Sequence, residues 1–212
     1  MELKAEAVLL DLDGTLVDPT ASIVRCWLRW AGEYGVDPAL LLDAHGRTSA
    51  QIVAGLVPAH DAGAALGRID ELEPADAGSM TAMPGALDLV AALPPGRVAY
   101  VTLANARLAA ARLTAAGLTF DPPLITADDA VRGKPDPEPY LLGASRLGIE
   151  PASCVVFEDA PTGIASARGA GMGVVGIASA HAAGELAADV VVASPATVTV
   201  RGTGPILIGV RR

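Results

Sequence analysis

Val8-Leu9-Leu10-Asp11-Leu12-Asp13-Gly14-Thr15-Leu16 is the stretch on which the fold turns. An apolar run of strand length ends in two carboxylates one residue apart. Gly14 follows and lets the backbone turn away. A strand apolar on both faces belongs in the middle of a parallel sheet, with helices above and below it. The carboxyl ends of such strands are where open α/β sheets bind ligands. Asp11 and Asp13 are therefore the first candidate site residues.

Working outward, residues 5–11 read as the first strand. From Pro19 the pattern changes. Ile23, Trp27, Trp30 and Tyr34 recur at helical spacing until Gly35. Short helical segments follow over 38–44, 49–56 and 62–73, and no strand is evident between about 19 and 82. This block reads as a helical insert whose two tryptophans and Tyr34 serve packing. After Met83-Pro84-Gly85 strands and helices alternate. Strands are expected over 98–102, 123–126, 154–157 and 173–177, and helices over 84–93, 105–116, 137–147 and 161–170. That rhythm predicts an α/β fold, a Rossmann-like parallel sheet with helices on both faces. The expected domains are an α/β core of 1–17 and 83–212 and a helical insert of 18–82. At the end, 197–201 and 206–210 flank Gly202-Thr203-Gly204-Pro205 and read as a β-hairpin at the sheet edge.

The 212 residues suit one domain with a smaller insert, and half of them are hydrophobic. A formal net charge of -9 argues against a nucleic-acid partner, which requires a basic face. No uncharged apolar run is long enough to predict a membrane span. The N-terminus lacks a signal-peptide pattern. Cys26 and Cys154 stand far apart and outside any CxxC pair, as in a reducing, cytoplasmic setting. His60 and His181 carry no pattern and read as surface residues.

Polar groups stand just past four predicted strands: Asp11 and Asp13, Thr102, Lys134, and Glu158 with Asp159. A parallel sheet gathers these strand ends on one rim. Several carboxylates there would repel one another. A hard divalent cation such as Mg²⁺, bound through oxygen, relieves that repulsion. An ammonium and a hydroxyl beside it suit a phosphate group. Only Lys4 and Lys134 of the 15 basic residues are lysines, which singles out Lys134 within Gly133-Lys134-Pro135.

These motifs, in this order, resemble the haloacid dehalogenase-like phosphohydrolase superfamily. Asp11-Leu12-Asp13-Gly14-Thr15 is similar to its first motif and Thr102 to its second. Gly133-Lys134-Pro135-Asp136-Pro137 is similar to the third, and Phe157-Glu158-Asp159-Ala160-Pro161-Thr162-Gly163 to the fourth. The insert resembles the small helical cap of the subgroup that includes sugar phosphatases and β-phosphoglucomutase. His45-Gly46-Arg47-Thr48 and the closing hairpin look most like sugar-phosphate and polyol-phosphate phosphatases. The resemblance implies a Mg²⁺-dependent phosphatase that cleaves a small phosphorylated sugar or polyol. Asp11 would be the nucleophile that forms an aspartyl-phosphate. Asp13 would protonate the leaving oxygen and then deprotonate the attacking water. Asp11, the backbone carbonyl of Asp13, Glu158 and Asp159 would surround the metal. Thr102, Leu103, Ala104 and Lys134 would bind the phosphate, and Arg47 would contact substrate from the cap. The implied partner is a small-molecule phosphate ester, and the protein is expected as a monomer or small homo-oligomer.

One position departs from the family pattern. Leu103 follows Thr102 where a serine or glycine-rich sequence is common, which removes a hydroxyl from the phosphate grip. Asn105, just beyond, is expected to cap the next helix or contact substrate. Two alternatives share the motifs. A β-phosphoglucomutase-like mutase typically uses a cap lysine, and residues 18–82 contain none. A non-catalytic phosphate-ligand-binding regulator would have no need of intact Asp11, Asp13, Lys134 and Asp159.

Overall fold

The computed structural model describes residues 2–42, 47–118 and 121–210. The apolar run splits at a bend on Glu6 into β1 (Glu2–Ala5) and β2 (Ala7–Leu10). The Glu6 N–H donates to the Ser153 carbonyl at 2.8 Å. The strand expected over 5–11 is thus shorter, and its first part serves a different sheet. β3 (Val17–Asp18) leads into α1 (Thr20–Tyr34), α2 (Ser49–Leu56) and α3 (Ala62–Asp76). α3 runs past Glu73 and takes in Pro74 in its final turn, where the proline has no N–H to offer the Asp70 carbonyl. β4 (Thr81–Ala82) then pairs antiparallel with β3, Val17 opposite Ala82. β4 corrects the expectation of no strand between about 19 and 82. Two-residue strands are too short to leave a periodicity.

The remainder alternates: α4 (Ala86–Ala92), β5 (Val98–Val101), α5 (Ala106–Ala115), β6 (Leu124–Ile125), α6 (Glu138–Leu147), β7 (Cys154–Glu158), α7 (Pro161–Gly169), β8 (Gly173–Ile177) and β9 (Val190–Val192). Six strands form one parallel sheet in the order β6-β5-β2-β7-β8-β9. β9 has no counterpart among the expected strands. β2 lies at the centre and its residues alternate between two cores. Val8 and Leu10 join Tyr100, Phe157, Leu89 and Leu108 on one face. Ala7 and Leu9 join Val101, Val156, Tyr140 and Ile164 on the other. Helices on both faces account for the apolar run of the opening stretch.

The closing hairpin, β10 (Val198–Arg201) and β11 (Ile206–Val210), forms as expected but not at the edge of the main sheet. β11 pairs antiparallel with β1, making a separate three-stranded sheet. Ile206 and Ile208 are buried in the core that also takes Val8 and Leu10. Burial of that apolar face chooses the location.

The insert has its own core. Trp30 is fully buried, stacks on Tyr34 at 5.2 Å between centroids and meets Trp27 edge-on at 5.2 Å. The Trp30 indole donates to the Ala65 carbonyl at 2.8 Å, tying α1 to α3. Cys26 and Cys154 are both free and buried.

Candidate active site

β5 and β7 flank β2 on either side, so the chain order reverses direction across β2. Ligands bind at such a switch point, beyond the strand ends. Asp11 follows β2, Thr102 follows β5, and Glu158 ends β7 with Asp159 after it. Lys134 arrives from the loop between β6 and α6. The structure brings these five residues together, and all five are buried.

The Lys134 ammonium is the hub. It donates to Asp11 Oδ1 and Glu158 Oε1, both at 2.6 Å, and to the Val101 carbonyl at 3.2 Å. Burial works against its charge, yet Asp11 and Glu158 outweigh that and hold it protonated well above the usual lysine range. Glu158 is itself fixed. Its Oε1 also accepts from the Tyr140 hydroxyl at 3.0 Å, and its Oε2 from the Ala160 N–H at 2.9 Å. Asp159 Oδ2 accepts from the Ser179 hydroxyl at 3.2 Å, and the Asp159 carbonyl lies 3.2 Å from His181 Nδ1. His181 is therefore a neighbour of the site rather than a bystander at the surface. His60 is exposed beside Asp61.

Carboxylate oxygens of Asp11, Glu158 and Asp159 all lie within 4.8 Å of one another. Burial, reinforced by Glu158, Asp159 and Asp13, pushes the Asp11 carboxyl well above its usual value, against the pull of Lys134. Burial first and Glu158 second push Asp159 up to about 7. Three buried carboxylates with one ammonium lack positive charge, and oxygen-only donors match a hard divalent cation. Mg²⁺ fits this donor set. Glu158 spends both oxygens on protein donors, which leaves Asp11 and Asp159 as the freer ligands.

Asp13 is built differently. Its carboxylate stands outside that cluster and receives a hydrogen bond from Arg112 Nη1. Burial raises its carboxyl and Arg112 opposes the rise. The loop 102–105 is tightly wound: Thr102 Oγ1 accepts from the Ala104 N–H at 3.1 Å. Asn105 takes the first of its expected roles, the helix cap, and also binds the insert. Its Oδ1 caps α5 through the Leu108 N–H, and its Nδ2 reaches across to Asp70 Oδ1 on α3, each at 2.9 Å. Thr102, Leu103, Asn105, Thr126, Asp128 and Gly133 from the core, with Thr48, Ser49, Gln51, Leu66 and Asp70 from the insert, line a cavity of about 390 Å³. Ala104 is not among its lining residues. The Arg47 guanidinium turns back to the Gln51 carbonyl at 2.8 Å and does not line the cavity either. His45 and Gly46 lie outside the described residues.

Residues 5–171 match the haloacid dehalogenase-like hydrolase family. The chain belongs to that family. Hexitol phosphatase A of Escherichia coli is 36% identical over 182 residues, covering 82% of this chain and 84% of that one. Validoxylamine A 7'-phosphate phosphatase of Streptomyces hygroscopicus is 38% identical over 199 residues, covering 87% and 92%. A solved hydrolase of the same family from Entamoeba histolytica superposes with a TM-score of 0.80 at 25% identity, covering 91% of this chain and 95% of that one. Both of these sequence relatives are phosphatases by name.

Several site residues carry no motif. Tyr140, Ser179 and Asp70 are visible only once the fold assembles them. Arg112 and Glu73 did leave a trace: each occupies a position in the apolar stripe of its helix, where a charge is out of place.

Proposed function

We propose that this protein is a Mg²⁺-dependent phosphatase that hydrolyses a small phosphorylated sugar or polyol through an aspartyl-phosphate on Asp11. The observation that carries the reading is the buried Asp11-Lys134-Glu158-Asp159 cluster at the switch point of the sheet. Asp11 attacks phosphorus, and Lys134, 2.6 Å from it, offsets the charge that gathers as the phosphoryl group arrives. Glu158 and Tyr140 hold Lys134 in place. Thr102 and the Leu103 N–H bind phosphoryl oxygens, while the N–H groups of Ala104 and Ala106 are taken by Thr102 and Asp128. Asp13 protonates the departing alcohol and then takes a proton from the water that cleaves the aspartyl-phosphate. Mg²⁺, when bound by Asp11, Asp159 and the Asp13 carbonyl, with Glu158 alongside, supplies positive charge against the phosphoryl oxygens. The insert, residues 18–82, acts as a cap that excludes bulk water.

The cavity lining supports a neutral, hydroxyl-rich leaving group. Asp70 and Asp128 contribute carboxylates, and among the described residues no lysine, arginine or histidine lines it. Such a surface accepts hydrogen bonds from hydroxyls and repels carboxylates or a second phosphate. Thr102, Leu103 and Gly133 bring this cavity next to the Asp11-Lys134 cluster, whose own side chains do not line it. By their names, the two phosphatase relatives act on a hexitol phosphate and on validoxylamine A 7'-phosphate, and the first of these supports a polyol phosphate here.

The test is release of inorganic phosphate from p-nitrophenyl phosphate and from a panel of phosphate esters with Mg²⁺. Turnover should vanish in Asp11→Asn. Within the panel, glucitol 6-phosphate should be preferred to 6-phosphogluconate. Wild-type protein that releases phosphate from no ester would overturn the reading.

A further inference from the structure

Beside Asp13 the insert meets the core through buried charge. Arg112 on α5 is 4% exposed and Glu73 on α3 is 3% exposed. Charges this deeply buried persist only when paired. Arg112 Nη1 donates to Asp13 Oδ2, and Arg112 Nη2 lies 3.9 Å from Glu73 Oε1. The same Glu73 oxygen accepts from the Trp27 indole at 3.1 Å. The chain of contacts runs Trp27, Glu73, Arg112, Asp13, from the insert into the core. Asp13 Oδ1 is buried with no partner among the described residues. Arg112 is therefore what orients this carboxylate, and the orphan oxygen is the one left for a substrate proton.

A merely structural clamp is a poor account of the arrangement. Buried ion pairs are weak sources of stability and are replaceable by apolar side chains. The Asn105-Asp70 hydrogen bond already joins α5 to α3 one helical turn from Glu73. What the pair does accomplish is to restrict one carboxylate to one orientation. A rigid guanidinium fork suits that task better than a flexible ammonium.

Resting on the phosphatase reading above, we infer that Arg112 is a positioning residue for Asp13 and that Glu73 makes this positioning depend on a seated insert. With the insert in place, Trp27 and Glu73 hold one side of the guanidinium, and its other side holds Asp13. When the insert lifts, Glu73 leaves with it and Asp13 loses its fixed orientation. Protonation of the leaving oxygen is thereby tied to a closed site.

The experiment compares kcat/KM for two esters, since this ratio covers the steps through departure of the first alcohol. Nitrophenolate leaves without a proton, whereas the alkoxide of glucitol 6-phosphate needs one. Arg112→Gln should lower kcat/KM for glucitol 6-phosphate by about 10- to 100-fold and that for p-nitrophenyl phosphate by no more than about 3-fold. Glu73→Gln keeps the size of the side chain and an acceptor for Trp27. It should show the same ester-selective loss to a smaller degree, and Arg112→Lys should recover part of it. Equal losses on both esters, or no loss on either, in Glu73→Gln would overturn the inference even if Arg112→Gln fails to fold. Wild-type protein inactive on both esters would remove the phosphatase reading and this inference with it. Active wild type with parallel losses would remove this inference alone.

Discussion

A methyl group added at Gly163 would sit 1.7 Å from Glu158 Oε1, the oxygen that holds Lys134. Gly14 is constrained twice. Its φ of +77° strains any side chain, and a Cβ there would lie 2.1 Å from Asp159 Oδ2. These glycines exist to let carboxylates approach the backbone. Gly163→Ala must push Glu158 aside and shift Lys134 relative to Asp11. It is expected to lower kcat by about 10²-fold, the usual cost of a displacement near 1 Å at a reacting centre. Steady-state kinetics beside an unchanged circular dichroism spectrum will check it. Leu103 makes the opposite kind of demand. Its Cδ2 would lie 3.1 Å from a Cβ on Gly133, so the leucine fills the space next to the lysine loop.

Among elements, α5 and α3 do most to join the two parts of the site. Asn105 starts α5 with a side-chain cap and reaches α3 through Asp70. Asn105→Ala should cost about 1 kcal/mol of stability from the lost cap, read from urea unfolding, and should raise KM as the cavity wall loosens. α1 and α3 depend on Trp30, fully buried between them. Trp30→Ala should destabilise the insert by about 3 to 5 kcal/mol, measurable as a lower unfolding midpoint of its helical signal. The helical segments read from the sequence include the insert's three α-helices among the described residues, while the one expected over 38–44 is a 3-10 turn at Pro38–Leu41, and caps such as the Thr48-Gln51 box mark where helices begin. The spacing did not reveal that Arg112 and Glu73, standing in two apolar stripes, face one another. Their meeting depends on how α3 crosses α5, which no local pattern encodes.

On the scale of the whole molecule, the sheet forces carboxylates together that water would keep apart. Asp159, raised to about 7 from an ordinary 3.8, sets the sign of the consequence. Below 3.8 both folded and unfolded forms hold the proton. Between 3.8 and about 7 the unfolded chain releases it and the folded chain does not, so metal-free stability falls as pH rises through this window. Asp11 is shifted in the same direction. Mg²⁺ binds the ionised carboxylates and should restore stability where the protons are gone. Thermal denaturation should therefore show a larger Mg²⁺-induced rise in Tm at about pH 8 than at about pH 5. A rise that is the same at both would exclude these carboxylates as the binding groups.

The linear order of residues was enough to predict the parallel sheet and the helices of residues 18–82, and to single out Asp11, Asp13, Thr102, Lys134, Glu158 and Asp159 as polar groups past strand ends. Each of these follows from a local signal: an apolar run, a helical period, a polar group at a strand end. Only the tertiary structure decided where β1 and the closing hairpin go, since their apolar faces are satisfied by a core built from distant strands. It also decided that Arg47 turns away from the cavity, that Tyr140 steadies Glu158, and that Arg112 links Glu73 to Asp13. Burial and charge pairing are properties of the assembled molecule. A residue's neighbours in the chain do not contain them.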